Sequence, residues 1–200
     1  MPGIGAYYLD AVEADLLREI IRPETALESH ILRQPEVLEG MAWGRPRFGH
    51  PEGEVYRHVA EVLTNVDKLE RLGSIERVDL RLVTLLHDTF KFAEDKRQPR
   101  DWSKHHGILA RRFAEQYVKK PRVLELIEWH DEAYYCWRLD ALYGKPSLSR
   151  QRLDALLHRF GDDMPFYYRF FVCDTRTGDK NQAPVKWVCE EAEMQGVPTW

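Results

Sequence analysis

One stretch, residues 80–92, constrains this chain more than any other: it reads LRLVTLLHDTFKF. Apolar residues recur at helical spacing and no proline or glycine interrupts them, which predicts a buried helix. His87 follows Val83 by four residues and Leu80 by seven, so its imidazole lies on the apolar face. Asp88 comes about 100° further round the same helix.

A buried imidazole beside a buried carboxylate is costly unless something pairs with both, and a divalent metal ion does so. The alternative interpretation of this dipeptide is a core histidine that bonds a backbone carbonyl, next to an aspartate that caps a loop. The rest of the chain has to decide between the two.

Composition limits the class of protein. A chain of 200 residues fits one domain. With 44% hydrophobic and 31% charged residues it is neither membrane-spanning nor disordered. No apolar run approaches the roughly 18 residues of a transmembrane helix, and Met1–Asp10 lacks the pattern of a secretion signal.

Charge and cysteine content add further expectations. A net charge of −4 argues against a general nucleic-acid-binding surface, although a small phosphorylated substrate in a local positive pocket is compatible with it. Three cysteines are an odd number at no metal-ligand spacing, which favours free thiols in a reducing cytoplasm. We expect a cytoplasmic protein with no membrane partner; the oligomeric state stays open, a homodimer included.

Helical periodicity and its breakers divide the chain into elements. Helices are predicted over about residues 6–22, 25–32, 54–72, 80–92, 104–117, 122–131, 149–160 and 165–174. The irregular segment 39–51, rich in glycine and proline and carrying Trp43, Phe48 and His50, is a candidate lid. The polar loop 93–103 is expected to be solvated, and the tail 178–200 to pack as a short helix and an extended end.

Ionisable residues on apolar helical stripes recur in five of these helices. They are His58, His87, Asp88, His106, His130 and Asp174. Each buried polar group left unsatisfied costs about 1–3 kcal/mol, whereas neutral imidazoles and carboxylates are ligands that divalent metals accept. Four histidines and two aspartates exceed the needs of one ion and predict two, with one carboxylate bridging and water completing the coordination.

The dipeptide His105-His106 offers two candidates for one inward position. His106 shares a stripe with Leu109 and Phe113, whereas His105 shares one with Arg112. We therefore predict that His106 is the ligand and that His105 lies at the edge of the site, a choice that rests on helical phase alone.

In this order and on these helices, His58, His87-Asp88 and Asp174 resemble the H…HD…D pattern of the HD superfamily of metal-dependent phosphohydrolases. His106 and His130 match the subset that holds two metals. The run GHPEGEVYRH before His58 is similar to the stretch that precedes the first histidine in many HD domains, including those attached to tRNA nucleotidyltransferases. The run RFFVCD, which ends at Asp174, is similar to the last helix of the family.

The segment HDTFK resembles the H-D-x-x-K form of HD-GYP-type phosphodiesterases, but no G-Y-P signature follows, so hydrolysis of cyclic-di-GMP is not implied. The resemblance covers about residues 49–180. It implies an all-α, single-domain helical bundle with a metal site in its core. We assign residues 1–48 to an N-terminal helical extension and loop packed on that core, 49–180 to the HD domain, and 181–200 to a C-terminal tail packed on the same domain.

The resemblance implies a metal-dependent phosphohydrolase that uses metal-activated water on a nucleotide or another small phosphorylated metabolite. The cofactor is expected to be two divalent ions, with Mn, Fe, Co, Zn, Ni and Mg all open. Asp88 and Lys91 are the catalytic candidates. Lys91, Arg176 and Lys180 are the candidates for phosphate binding, although a helix-end lysine also complements the helix dipole without any ligand.

Two other functions share this ligand set. HD-fold mixed-valence di-iron oxygenases, which cleave inositol or organophosphonates with O₂, use similar residues, and the ligand types alone do not separate them from hydrolases. A non-catalytic, metal-stabilised binding module is the third alternative, and an intact ligand set argues against it.

Overall fold

Helices make up the regular structure of the computed structural model, which describes residues 11–46 and 51–199. The α-helices are α1 (Ala11–Ile21), α2 (Ala26–Ile31), α3 (Pro35–Ala42), α4 (Val55–Lys68), α5 (Ser74–Leu86), α6 (His106–Ala114), α7 (Pro121–Trp129), α8 (Glu132–Ala141), α9 (Pro146–Phe160), α10 (Met164–Thr175) and α11 (Ala183–Glu191). Single turns of 3-10 helix lie at Lys91–Ala93, Trp102–Lys104 and Gly161–Asp163. Across the described ranges there is no β-strand, which confirms the predicted all-α class.

Helix α5 ends earlier than the apolar pattern predicts, at Leu86 instead of Phe92. Two side chains take the backbone carbonyls that a longer helix needs: His87 Nδ1 lies 3.0 Å from the oxygen of Thr84, and the Thr89 hydroxyl donates to Leu85 at 2.6 Å. Side chains that bond nearby carbonyls compete with helix continuation. As a result His87 is the C-cap residue directly after α5, and Lys91 lies in a separate 3-10 turn, not on the same helix as predicted.

Other predicted boundaries shift by less than two turns, but α3 and α8 were not predicted, and α3 covers the start of the segment expected to be irregular. Helix α4 ends at Lys68 instead of Leu72, and Gly73 caps the start of α5 instead of closing α4. Pro146, expected to break the chain before a helix, is the first residue of α9, where its missing N–H costs nothing.

The core surrounds α5, whose residues 79–86 are all buried. Helices α4, α7 and α10 pack against it, and α6 packs against α7. Among the described helices, α8 and α9 have the most extensive contact. Because the last turn of α5 lies between α4, α7 and α10, the dipeptide His87-Asp88 is placed at the centre of the bundle.

Both chain ends pack onto this bundle in the described residues. Near the N-terminus, Glu28 in α2 is fully buried and binds Arg81 of α5, with Oε2 3.0 Å from a guanidinium nitrogen. Near the C-terminus, α11 packs on α8 and α10. Phe48 and His50, two of the residues in the candidate lid, lie outside the described residues, as do residues 6–10 of the first predicted helix.

Two further observations concern predictions from composition. The three cysteines are free thiols; Cys136 and Cys173 are buried and Cys189 is partly exposed. In the described part of the chain, no helix has both the length and the apolarity that crossing a bilayer requires.

Candidate metal centre

The first half of the site joins three helices. His87, at the end of α5, and His58, on the buried face of α4, direct their Nε2 atoms at each other across 3.3 Å. Both side chains are almost fully buried. Asp174 of α10 completes this half: its Oδ1 lies 2.9 Å from His58 Nε2 and 3.8 Å from His87 Nε2.

The second half has the same form. His106 begins α6 and His130 follows the last residue of α7, and their Nε2 atoms lie 3.2 Å apart. This approach depends on Gly107, where a Cβ atom would lie 2.5 Å from the backbone oxygen of Glu128 in α7. A side chain at residue 107 would therefore keep α6 away from α7.

Asp88 lies between the two halves. Its Oδ2 is 3.6 Å from the Nε2 atoms of both His58 and His87. Its Oδ1 is 3.4 Å from the Nε2 atoms of both His106 and His130. This buried Oδ1 makes no hydrogen bond to any residue that the structure describes. One carboxylate thus presents one oxygen to each pair of imidazoles.

Four acceptors lie on the far side of the imidazoles. His87 Nδ1 is 3.0 Å from the oxygen of Thr84, and His130 Nδ1 is 2.9 Å from that of Ile127. Carboxylates face the other two rings at longer distances: His58 Nδ1 lies 3.5 Å from Glu52 and His106 Nδ1 lies 3.4 Å from Glu94. Metal-ligating histidines have this pattern, because the outer acceptor orients the ring and directs Nε2 at the ion.

The arrangement fits two divalent cations. Two ligand atoms held by one ion at about 2.1 Å lie about 3.0–3.4 Å apart for angles between 90° and 110°. The two imidazole pairs, at 3.3 and 3.2 Å, match this spacing. The trios His58–His87–Asp88 and Asp88–His106–His130 each bring three ligand atoms within 4.8 Å of one another. The buried Oδ1 of Asp88 also needs a cation to satisfy it.

The charges in the site point the same way. Burial opposes ionisation of Asp88, but the Lys91 ammonium holds its pKa well below the ordinary value. Burial also opposes ionisation of Asp174, whose pKa Lys180 and His58 hold low. Burial lowers the pKa of His87 to about 3, which keeps this imidazole neutral and suited to a metal.

His130 differs from His87. Burial lowers its pKa, but Asp131 and Asp88 outweigh burial and raise the pKa to about 9. A proton on His130 is what a cation would replace, because ligand imidazoles must be deprotonated.

Every predicted ligand lies in this one cluster, and their assignment as ligands stays a prediction. The structure directs His106 at His130 and Asp88, whereas His105 caps α6 by accepting from the Gly107 N–H at 3.2 Å. His105 Nε2 lies 3.9 Å from both Glu94 and Asp131, at the edge of the site.

The predicted phosphate-binding residues divide into two groups. Lys91 Nζ donates to Asp88 Oδ2 at 2.5 Å, and Lys180 Nζ donates to Asp174 Oδ1 at 3.0 Å, so both border the cluster. Burial opposes the charge of Lys91, but Asp88 and Asp131 raise its pKa above the ordinary lysine value. Arg176 is exposed beyond α10, and its backbone oxygen accepts from Asn65 at 2.7 Å.

Sequence reasoning missed three carboxylates. Glu94 belongs to the loop expected to be solvated, yet its side chain is only 3% exposed and faces His106. Glu52 faces His58 from another irregular segment. Asp131 Oδ2 lies 3.4 Å from His106 Nε2. Only Asp131 carried a signal, since it directly follows a predicted ligand as Asp88 follows His87.

Comparison with known families adds one match. A family model described as the HD domain matches residues 55–153. The span includes all the clustered histidines and Asp88, and ends before Asp174. Comparisons with curated proteins and with solved structures found no match.

Proposed function

From the match of residues 55–153 to the HD-domain family model, we propose that the chain is a metal-dependent phosphohydrolase acting on a nucleotide or another small phosphorylated metabolite. The family consists mostly of metal-dependent hydrolases, and its domains bind divalent metals. The reaction, the number of ions and the class of substrate are the parts that we propose.

One observation carries the proposal: Asp88 lies between two pairs of imidazoles and presents one oxygen to each. This supports two ions, one held by His58, His87 and Asp174, the other by His106 and His130, with Asp88 shared. When bound in such a site, divalent ions supply activation of water and polarisation of a phosphoryl oxygen.

The surrounding residues supply the electrostatic part of phosphoryl transfer. Lys91 stays cationic beside Asp88 and Asp131. Lys180 donates a hydrogen bond to Asp174. Ammonium groups in these places attract a phosphoryl group and stabilise the negative charge on its oxygens during transfer. The apolar helix faces behind the histidines exclude bulk water, which strengthens these interactions.

The proposed partner is therefore a small phosphorylated molecule, not a nucleic acid or a membrane. Because phosphate is the group that Lys91 and Lys180 are placed to meet, the substrate must bring its phosphoryl end to the buried cluster. Arg176, which is exposed, is the weakest of the three proposed phosphate-binding residues.

Phosphate release tests the proposal. Purified protein loaded in turn with Mn²⁺, Co²⁺, Mg²⁺ and Fe²⁺ is assayed against generic phosphomonoesters and phosphodiesters and against a nucleotide panel. We expect turnover with at least one metal and none with Asp88→Ala, because both ions lose their shared ligand. Asp154→Ala, a change in an exposed helix pair, is the matched control and should keep full activity.

Lys91 gives a second arm. Lys91→Ala should keep both ions, measured by elemental analysis, and reduce turnover by up to about 10²–10³-fold, the scale for loss of one charge-stabilising donor. Lys96→Ala, in the exposed part of the same segment, should change little. Substrate-dependent O₂ consumption by the iron form, with no phosphate released under any metal, would reject the hydrolase in favour of the oxygenase.

A further inference from the structure

A cavity of about 360 Å³ adjoins the second half of the metal centre. Its volume lies within the usual range of small-molecule sites, about 300–1,000 Å³. Asp131 and His105 form part of its wall, and Asp131 Oδ2 is 3.4 Å from His106 Nε2. A molecule whose phosphoryl end lies at the imidazoles can therefore extend its other end into this cavity.

Flat aromatic side chains dominate the wall: Trp102, Trp129 and Tyr135. Trp102 is 54% exposed, an unusual position for an indole, and the guanidinium of Arg100 lies 4.5 Å from its ring centre. Trp102 and Tyr135 meet edge to face at 83°, with centroids 6.5 Å apart. A flat ring inserted here would cover apolar surface that now faces water. Stacking of this kind uses the π-face of the ring, so it does not depend on which base the ring belongs to.

The charges in the wall select against an anion. The wall holds three carboxylates, those of Glu128, Asp131 and Glu132, and one guanidinium, that of Arg152. Glu128 also accepts from Arg111, which is not among the lining residues. Arg152 is already held by Glu132 through two bonds of 2.6 and 2.5 Å. A second negative group on the ligand would meet unfavourable charge, whereas N–H donors would find acceptors. Aromatic faces and carboxylate acceptors in one wall together suit a flat ring that carries N–H donors.

We propose that this cavity binds the part of the substrate that carries the phosphoryl group, and that this part is an uncharged, flat heterocycle of the nucleobase type. The inference rests on the proposed function, because it takes the phosphoryl end to lie at the metal centre. If the cavity binds such a ring, the substrate is a mononucleotide, and neither a sugar phosphate nor a molecule with a second anionic group.

Binding of a ligand without phosphate tests the cavity separately from catalysis. Adenosine and ribose are titrated into the whole protein, with and without Mn²⁺, and tryptophan fluorescence and calorimetry are followed. We expect adenosine to bind and ribose not to bind. Trp102→Ala should weaken adenosine binding about 5- to 150-fold, the fold-change that corresponds to the loss of one stacked base. Tyr143→Ala, another aromatic that is 54% exposed but lies outside the cavity wall, should leave it unchanged.

Two further variants test the chemistry of the wall. Trp102→Phe keeps an aromatic face and should restore most of the adenosine binding, which separates stacking from a general effect on folding. Orotidine is uridine with a carboxylate on its ring, and the carboxylates of the wall should make it bind more weakly than uridine. Glu128→Gln removes one of these negative charges and should reduce the ratio of the two affinities.

The outcomes are distinguishable. Adenosine binding that Trp102→Ala weakens, without phosphate release from any ester, supports the cavity and rejects the phosphohydrolase. Equal turnover of ribose 5-phosphate and adenosine monophosphate, with no adenosine binding, keeps the phosphohydrolase and overturns the cavity. Adenosine binding of equal strength in wild type and Trp102→Ala also overturns it.

Discussion

At the scale of single residues, the outer nitrogens of the four clustered histidines are held in two different ways. His87 and His130 bond carbonyls of their own helices, which local geometry supplies. His58 and His106 depend on the carboxylates of Glu52 and Glu94, which come from irregular segments. A substitution can remove the side-chain carboxylates of Glu52 and Glu94, whereas it leaves backbone carbonyls in place.

We predict that Glu94→Gln weakens binding of the second ion. Burial opposes ionisation of Glu94, but His106 and His105 hold its pKa down to about 2, so the carboxylate is charged at neutral pH. Loss of such an outer-sphere carboxylate costs about 10- to 100-fold in metal affinity. Competition with a calibrated chelator measures this, and Asp95→Asn, at the neighbouring partly exposed position, is the control.

A merely structural role for Glu94 makes a different prediction. In that case Glu94→Gln would lower thermal stability and weaken both ions equally. If Glu94→Gln leaves the affinity for the second ion unchanged, Glu94 does not contribute to metal binding.

At the scale of elements, close backbone approaches position two parts of the site. A Cβ at residue 107 would lie 2.5 Å from the backbone of α7, and one at Gly40 in α3 would lie 1.9 Å from the oxygen of Thr89, next to Asp88. Both glycines allow one helix to reach the backbone behind a site residue.

Gly107→Ala tests the contact between α6 and α7. The added methyl group must push α6 away, which separates His106 from His130. We expect a loss of about 1–3 kcal/mol in the free energy of unfolding, as for overpacking elsewhere, and loss of the second ion but not of the first. Denaturant unfolding and elemental analysis measure the two effects.

Gly196→Ala is the control, because a Cβ at residue 196 meets nothing within 4 Å. Full occupancy of both ions in Gly107→Ala would show that the two helices adjust without moving the imidazoles.

At the scale of the whole molecule, a buried ion pair joins the N-terminal segment to the core. Glu28 of α2 is fully buried, and three of its contacts with Arg81 of α5 are 3.0–3.2 Å long. Arg81 also donates to the backbone oxygen of Arg22 at 2.9 Å. The two segments should therefore unfold together.

We predict one cooperative unfolding transition. Glu28→Ala should lower its free energy of unfolding by up to about 3–5 kcal/mol, because the buried Arg81 charge then keeps only Glu24, 3.3 Å away, as a carboxylate partner. Calorimetry measures the transition. A double variant, Glu28→Leu with Arg81→Met, should recover much of the loss, since burying apolar groups of similar size avoids the desolvation of both charges. Two separate transitions would show instead that the N-terminal segment is an independent unit.

The sequence by itself determined much of this protein. Helical periodicity is a local property, so the apolar stripes predict the all-α class and the inward phase of the six ionisable residues. The order of the histidines and aspartates was sufficient to predict the match to the HD-domain family model. Boundaries were less predictable, as at the end of α5, because hydrogen bonds from His87 and Thr89 compete with the backbone there.

Only the tertiary structure decided which imidazoles meet and what surrounds them. The pairing of His58 with His87 and of His106 with His130, and the position of Asp88 between them, depend on how separate helices pack. The approach of Glu94 and the cavity beside Trp102 involve irregular segments, whose sequence has no period to read. Local pattern determines which face of a helix is buried, whereas contacts between residues distant in sequence are set by packing the whole chain.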